Sequence, residues 1–151
     1  MITCTPIGTV KCAVTQMSQG NWAGVESEIH LDHRYAAGLK GLEGFSHVVV
    51  VFYLHQATGF DPATQLLRRP RGMDNMHEVG VFAQRTKYRP NPIGVTSVEL
   101  RGIRDGVVLV RGLDALDGTP VLDIKPYMPI FDRVADARVP DWVGRVMEGY
   151  F

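Results

Sequence analysis

Gly80-Val81-Phe82-Ala83-Gln84-Arg85-Thr86-Lys87-Tyr88-Arg89-Pro90-Asn91-Pro92-Ile93-Gly94-Val95-Thr96-Ser97-Val98-Glu99-Leu100 is the stretch from which the rest of the chain can be read. A short apolar run leads into three cations at alternate positions, Arg85, Lys87 and Arg89, then into a rigid turn, then into a second apolar run. Proline fixes its own φ and drives the preceding residue into extended geometry, so Pro90 and Pro92 hold both Arg89 and Asn91 extended. Two extended segments joined without a helix point to a β-structure. A turn this stiff suits a site that must hold polar groups in fixed positions.

On either side of it the same pattern repeats. Ile7–Val14 reads as a first strand, and residues 15–24 as a polar loop. Val25–Leu31 alternates with period two, with Val25, Ile29 and Leu31 on one face and Glu26, Glu28 and His30 on the other. Asp32 can cap a short helix over 33–39. His47–Leu54 is the most apolar strand, and so continuous a run suggests burial on both faces or a place in a barrel. Residues 55–78 form a long connection with a helical turn near Pro62–Leu67. Val79–Gln84 and Gly94–Leu100 read as strands. Asp105-Gly106 and Asp117-Gly118 signal hairpin turns before strands at Val107–Val110 and Pro120–Ile124. Pro126 and Pro129 are expected to stop the sheet. Pro140 and Asp141 open a C-terminal helix with Val143, Val146, Met147 and Tyr150 on one face. Seven short strands with few helices and no βαβ alternation predict a mainly β chain, a single antiparallel β-barrel with small helical additions.

Length and composition agree with that. The chain has 151 residues, 45% apolar and 21% charged, which suits one domain spanning 1–151. Lys plus Arg and Asp plus Glu number 16 each, so no global charge draws it to nucleic acid. Locally, residues 68–89 carry six cations (Arg68, Arg69, Arg71, Arg85, Lys87, Arg89) against Asp74 and Glu78. Such a face can dock an anionic partner; a merely solvated face is the competing reading. Cys4 and Cys12 are too few for a disulfide framework, so reduced thiols in the cytoplasm are expected. No signal peptide is visible, and the longest apolar run, Val48–Leu54, is too short to span a bilayer, so no membrane role is expected.

Several chemistries lack their motif. There is no glycine-rich nucleotide loop between strand and helix, which argues against a Rossmann-type site. His30, Asp32, His33, His47 and His55 have no Cys-x-x-Cys or His-Glu-x-x-His around them, and no metal is expected. Ser46 and Ser97 lack a nucleophile elbow, and only Cys12 has a cation beside it, Lys11. What remains are polar groups at strand ends: His55-Gln56, the segment Leu113–Pro120, and the opening turn. Taken locally, these are ordinary strand ends and turn residues. Together they could line one barrel mouth.

Phe45-Ser46-His47, His55-Gln56, Gly80-Val81-Phe82-Ala83-x-Arg85, Arg89-Pro90-Asn91-Pro92-Ile93-Gly94 and Leu113-Asp114-x-x-Asp117-Gly118-Thr119-Pro120-Val121-x-Asp123-Ile124-Lys125-Pro126-Tyr127 resemble the TsaA-like family, whose characterised members are tRNA methyltransferase O enzymes. The resemblance runs in register over about 40–130, with Ile7-Gly8 near the start, and leaves 131–151 as a C-terminal extension. It implies a non-Rossmann β-barrel that binds S-adenosylmethionine, needs no metal, forms a homodimer, and methylates the exocyclic nitrogen of threonylcarbamoyl-adenosine beside the tRNA anticodon. It carries the donor site onto His55, Gln56, Ala57, Arg85, Val95, Arg111, Gly112, Leu113 and Asp114. Lys87, Arg89 and Asn91 become candidates for the tRNA substrate, together with Arg68, Arg69 and Arg71. His55 and Asp114 are the candidates for proton removal. Two departures stand out. Lys11-Cys12 replaces the family's Arg/Lys-Ser pair, and residues 15–24 lack its Pro-Arg-Gln segment, for which Gln16 and Gln19 are the available substitutes. The C-terminal domain of the well-characterised bacterial enzymes has no counterpart in the matched residues. Both leave room for another acceptor, a small molecule or other RNA, or for a non-catalytic barrel that senses the donor or binds RNA.

Overall fold

The computed structural model describes residues 1–17 and 20–151, with strands β1 (Gly8–Lys11), β2 (Glu26–Leu31), β3 (His47–Tyr53), β4 (Leu67–Arg68), β5 (Val79–Gly80), β6 (Ile93–Arg104), β7 (Val107–Arg111) and β8 (Pro120–Pro126). Six of them close an antiparallel barrel in the order β1-β2-β7-β6-β3-β8, and β4 pairs with β5 in a separate ribbon. Three short helices, α1 (Pro62–Gln65), α2 (Pro129–Asp132) and α3 (Trp142–Val146), and four 3-10 turns complete the elements.

Alternation fills the barrel. In β3, Val48, Val50 and Phe52 are buried while Val49, Val51 and Tyr53 are only partly covered, so this strand is buried on one face rather than both. Val10, Ile29, Val98, Val108, Val110 and Val121 supply the rest of the interior. The barrel closes tightly where β3 meets the start of β6. A Cβ at Gly94 would stand 2.4 Å from the Phe52 ring, so only glycine fits opposite that phenylalanine. Asp105 and Gly106 both take positive φ in the turn between β6 and β7, as a two-residue hairpin turn requires.

The barrel holds six strands rather than seven because the expected strand over 79–84 ends at Gly80. Val81–Ala83 coils into a 3-10 turn instead, and the carbonyls of Val81 and Gln84 accept from the Arg89 guanidinium at 3.0 and 2.7 Å. One planar cation satisfies the backbone acceptors that a sheet neighbour would otherwise take. Arg85, Lys87 and Arg89 therefore do not share one strand face. The first strand stops at Lys11, short of Val14, and β8 runs through Pro126, which sits in register with Val48 rather than breaking the ladder. The helix over 33–39 forms as a 3-10 helix capped by Asp32, whose Oδ1 accepts from the Arg34 amide at 2.9 Å. In the C-terminal helix Val146 turns inward, whereas Met147 is exposed.

Candidate functional site at the barrel mouth

Antiparallel order puts the C-terminal ends of β1, β3 and β7 on the same rim as the N-terminal ends of β2, β6 and β8. Residues far apart in sequence meet there for that reason alone. Beyond Arg111 the chain leaves the ladder through Gly112, at φ 92°, and runs beside the first half of β6. Leu113 and Ala115 are buried on either side of Asp114, which fixes the backbone beneath its carboxylate. Asp114 Oδ1 accepts from the Thr96 hydroxyl at 2.5 Å, and Oδ2 accepts from the Tyr150 hydroxyl. Burial pushes the Tyr150 phenol well above its ordinary range, and the Asp114 charge adds to this; Arg85 and Arg71 pull the other way.

The end of β3 and the Pro-Asn-Pro turn are stitched together. The Leu54 amide donates to the Pro92 carbonyl at 2.7 Å, which ties the end of β3 to the Pro-Asn-Pro turn. The His55 amide donates to Tyr53 O and the Ala57 amide to Leu54 O, at 2.8 and 2.9 Å, so 53–57 forms a tight turn. Ala57 is buried, His55 half-buried and Gln56 exposed. Arg85 Nη2 donates to the Val95 carbonyl at 2.5 Å, which fixes that guanidinium at the start of β6 while the Val95 side chain faces outward. His55, Gln56, Ala57, Arg85, Val95, Gly112, Leu113 and Asp114 thus lie along one rim. Arg111 does not join them by its side chain: it is exposed on the outer ladder opposite Glu26 and Glu99.

The three substrate candidates separate. Arg89 is occupied with the 81–86 carbonyls and braces the turn. Lys87 lies over the Tyr88 ring at 5.4 Å, with Arg68 over the same ring at 4.8 Å. Asn91 is exposed on the turn itself. Arg69 is paired with Asp74 at 3.5 Å, and Arg71 reaches the C-terminal helix.

Of the two substitutes for the missing N-terminal segment, Gln16 is exposed, and Gln19 lies outside the described residues. Cys12 has a different role from a reactive thiol. Its amide donates to Asp117 Oδ1 at 3.1 Å and its thiol to Ala115 O at 3.5 Å, which pins the loop carrying Asp114. The sequence singles out neither Thr96 nor Tyr150 for the site, and Cys12 only as a departure from the family's Arg/Lys-Ser pair. Thr96 gave the one usable signal, a polar residue on an inward position of an otherwise apolar strand. Among the described residues no three metal-ligating side chains gather.

A cleft of about 180 Å³ lies in the 12–25 connection, lined by Val14, Gly20, Asn21, Trp22 and Val25. The rim combines a carboxylate, a phenol, guanidinium groups, an imidazole and backbone amides over an apolar floor. It can hold a charged organic ligand without forming a covalent bond to it. Among the described residues no helix is long and apolar enough to cross a membrane.

Comparison with known proteins fits this geometry. Residues 14–133 match the model of the tRNA-methyltransferase O N-terminal domain. The tRNA (adenine(37)-N6)-methyltransferase of Escherichia coli K12 is 43% identical over 118 residues, covering 73% of this chain and 48% of that protein. An S-adenosyl-L-methionine-binding protein of Archaeoglobus fulgidus is 38% identical over 133 residues, covering 85% of this chain and 91% of its own length. A crystal structure of TrmO from Pseudomonas aeruginosa superposes with a TM-score of 0.75 at 34% identity, over 93% of this chain and 61% of the other. The chain spans less than half the length of two curated relatives, 42% of one from Pseudomonas aeruginosa and 48% of the Escherichia coli enzyme. With four-fifths of its length matched by one family model and the same barrel in a solved relative, the chain belongs to the tRNA-methyltransferase O family.

Proposed function

We propose that the barrel mouth binds S-adenosylmethionine and that the protein transfers its methyl group to the exocyclic nitrogen of threonylcarbamoyl-adenosine beside the anticodon of tRNA. The observation that carries this reading is the meeting of His55, Arg85 and Asp114 on one rim, in a chain whose relatives are named for this donor and for N6-methylation of adenine 37 in tRNA. The residues fit the donor chemically. Asp114 can accept from an ammonium or ribose hydroxyl, Arg85 can pair with a carboxylate, and the buried Trp22 indole N–H has no partner among the described residues.

Bound in this way, the donor supplies an activated methyl on a sulfonium. The protein's part is to hold the acceptor nitrogen in line with it, which can provide most of the rate. Proton removal falls more naturally to His55 than to Asp114. The Asp114 oxygens already accept two hydroxyl hydrogen bonds, whereas the His55 imidazole makes none among the described residues. Arg68 and Lys87 flank Tyr88, and Phe82 is 77% exposed beneath Arg89, a mixture of cations and aromatic faces that suits unpaired bases and phosphates of an anticodon loop. The same reading takes the protein to be cytoplasmic, folded as one domain and homodimeric, with exposed Ile130, Phe131, Val134 and Val139 as the apolar surface for the second copy.

Calorimetry with S-adenosylmethionine tests the donor: binding is expected, and its absence overturns the reading. Arg85→Ala should weaken that binding by roughly tenfold, the value of one charge-assisted hydrogen bond; an unchanged affinity removes Arg85 from the site. Lys87→Ala should lower RNA affinity at low salt and make the salt slope shallower by about one phosphate contact. A second reading keeps the donor and changes the acceptor. It is favoured by the coverage, which is nearly complete for a relative named only for donor binding and about half for the tRNA enzyme. Nucleoside mass spectrometry of tRNA from a strain lacking the gene separates the two, since an undiminished methylated nucleoside points to the second.

A further inference from the structure

The last ten residues lie outside the segment that the family model matches, yet they fold onto the site. Arg71 Nη1 donates to the Val146 and Glu148 carbonyls, at 2.6 and 3.3 Å, where α3 ends and its carbonyls need donors. The amides of Asn21 and Trp22 donate to the carbonyls of Gly149 and Tyr150, at 2.9 and 3.0 Å, so the N-terminal loop and the C-terminal segment form a short two-rung ladder. A Cβ at Gly20 would stand 2.4 Å from the Gly149 carbonyl oxygen, so that approach depends on glycine. Val146 and Trp22 are buried, at 6% and 4% exposure. Tyr150 ends the sequence of contacts by placing its hydroxyl on Asp114.

A carboxylate held by a hydroxyl on each oxygen cannot turn about its χ angles without breaking one of them. Thr96 holds Oδ1 from a barrel strand, while Tyr150 holds Oδ2 from the C-terminal segment. Each oxygen keeps a second lone pair for a ligand. The adjacent Trp22 is a separate observation pointing the same way, because its buried indole N–H has no acceptor among the described residues. Buried donors are rarely left so, and an unmade bond of this kind costs stability unless something outside the chain completes it.

We propose that Tyr150 is a positioning residue of the donor site, fixing Asp114, and that residues 146–150 together with Trp22 form the wall against which S-adenosylmethionine is held, the Trp22 indole donating to an acceptor atom of that ligand. This rests on the donor-binding reading above. The wall comes from the two sequence regions in which the family pattern is altered or unmatched, the 15–24 loop and the C-terminal extension.

The test is a double-mutant cycle read by calorimetry with S-adenosylhomocysteine, the product left after methyl transfer. Tyr150→Phe should weaken binding roughly five- to tenfold in the Asp114 background and less than about twofold in an Asp114→Asn background. A purely structural tyrosine would cost the same factor in both. Trp22 and Trp142 are the chain's only tryptophans. In a Trp142→Phe protein, ligand should therefore shift the emission of Trp22 alone. Amide hydrogen exchange on the unmodified protein gives a readout independent of any variant: ligand should slow Asn21 and Trp22. If the unmodified protein binds the ligand but these amides and the Trp22 emission do not respond, or the cycle is additive, the wall is overturned and the donor site stands. If the unmodified protein does not bind at all, it is the donor-binding reading that fails.

Discussion

The two ends of the barrel are sealed by different means. At the far end the connections are local. A two-residue turn joins β6 to β7, and the 3-10 helix His33–Leu39 with the turn Leu42–Gly44 fills the step from β2 to β3. Leu39 is buried in the core cluster with Leu42 and Ile103 packed against it. At the mouth the connections are long, residues 12–25, 54–92 and 112–119, and what joins them is mostly polar: Cys12 to Asp117, Leu54 to Pro92, Thr96 to Asp114, Arg71 to Val146. Apolar packing makes the far end a fixed floor that no ligand needs to touch. Hydrogen-bonded loops make the mouth a surface whose chemistry can be changed without refolding the barrel.

If that division holds, the largest effect on stability and none on binding should come from the floor. Leu39→Ala removes a buried leucine from the core cluster and should cost about 2–5 kcal/mol, the range for such a truncation. Urea unfolding measures it, with calorimetry alongside. A stability loss of that size with unchanged donor affinity separates the ends, whereas a parallel loss of affinity would mean that the floor shapes the mouth.

The same division explains what could be read in the sequence. Strand alternation and Asp-Gly turns are local signals, so the barrel and the 105–106 hairpin were legible, whereas the continuous apolar run of 47–54 hid which of its faces turns inward. The strand ends that carry His55, Arg85 and Asp114 share one rim, a placement that follows from the antiparallel strand order. The partners of those residues were not legible. Thr96 finds Asp114 across 18 positions, Tyr150 finds it across 36, Arg71 finds Val146 across 75 and Cys12 finds Asp117 across 105. No periodicity encodes such pairs. The strand expected over 79–84 failed for a related reason: its apolar run is genuine, but the Arg89 guanidinium takes the carbonyls of Val81 and Gln84.

A smaller effect tests the mouth itself. Thr96→Val keeps the shape of an inward-facing strand residue but deletes the hydroxyl on Asp114. With one oxygen left to find another partner, stability should fall by about 1–3 kcal/mol. Donor affinity should fall with it, unlike the Leu39 case. A melt and a titration on the same preparation suffice, and a protein destabilised but binding normally would take Thr96 out of the site.

The smallest effect returns to the floor, through charge. Asp32 caps the 33–39 helix, and its carboxylate accepts from Arg34 Nε at 3.0 Å and Nη2 at 2.8 Å. The Arg34 side chain, followed by the Arg34 amide, holds the Asp32 carboxyl at about 2, against an ordinary value of 3.8. A carboxyl that binds its proton more weakly in the folded protein than in the unfolded chain stabilises the fold fully above 3.8, and that stabilisation is lost as pH falls through about 2. Asp32→Asn keeps an oxygen to cap the helix and removes the charge. The stability gap between the two proteins should therefore be constant above the ordinary carboxylate value and narrow as the solution is acidified below it. Urea melts across that window measure the gap. A gap that does not narrow would show that the cap works through its hydrogen bond alone, and a change in donor affinity at neutral pH would link to the mouth a residue that the fold places at the opposite end.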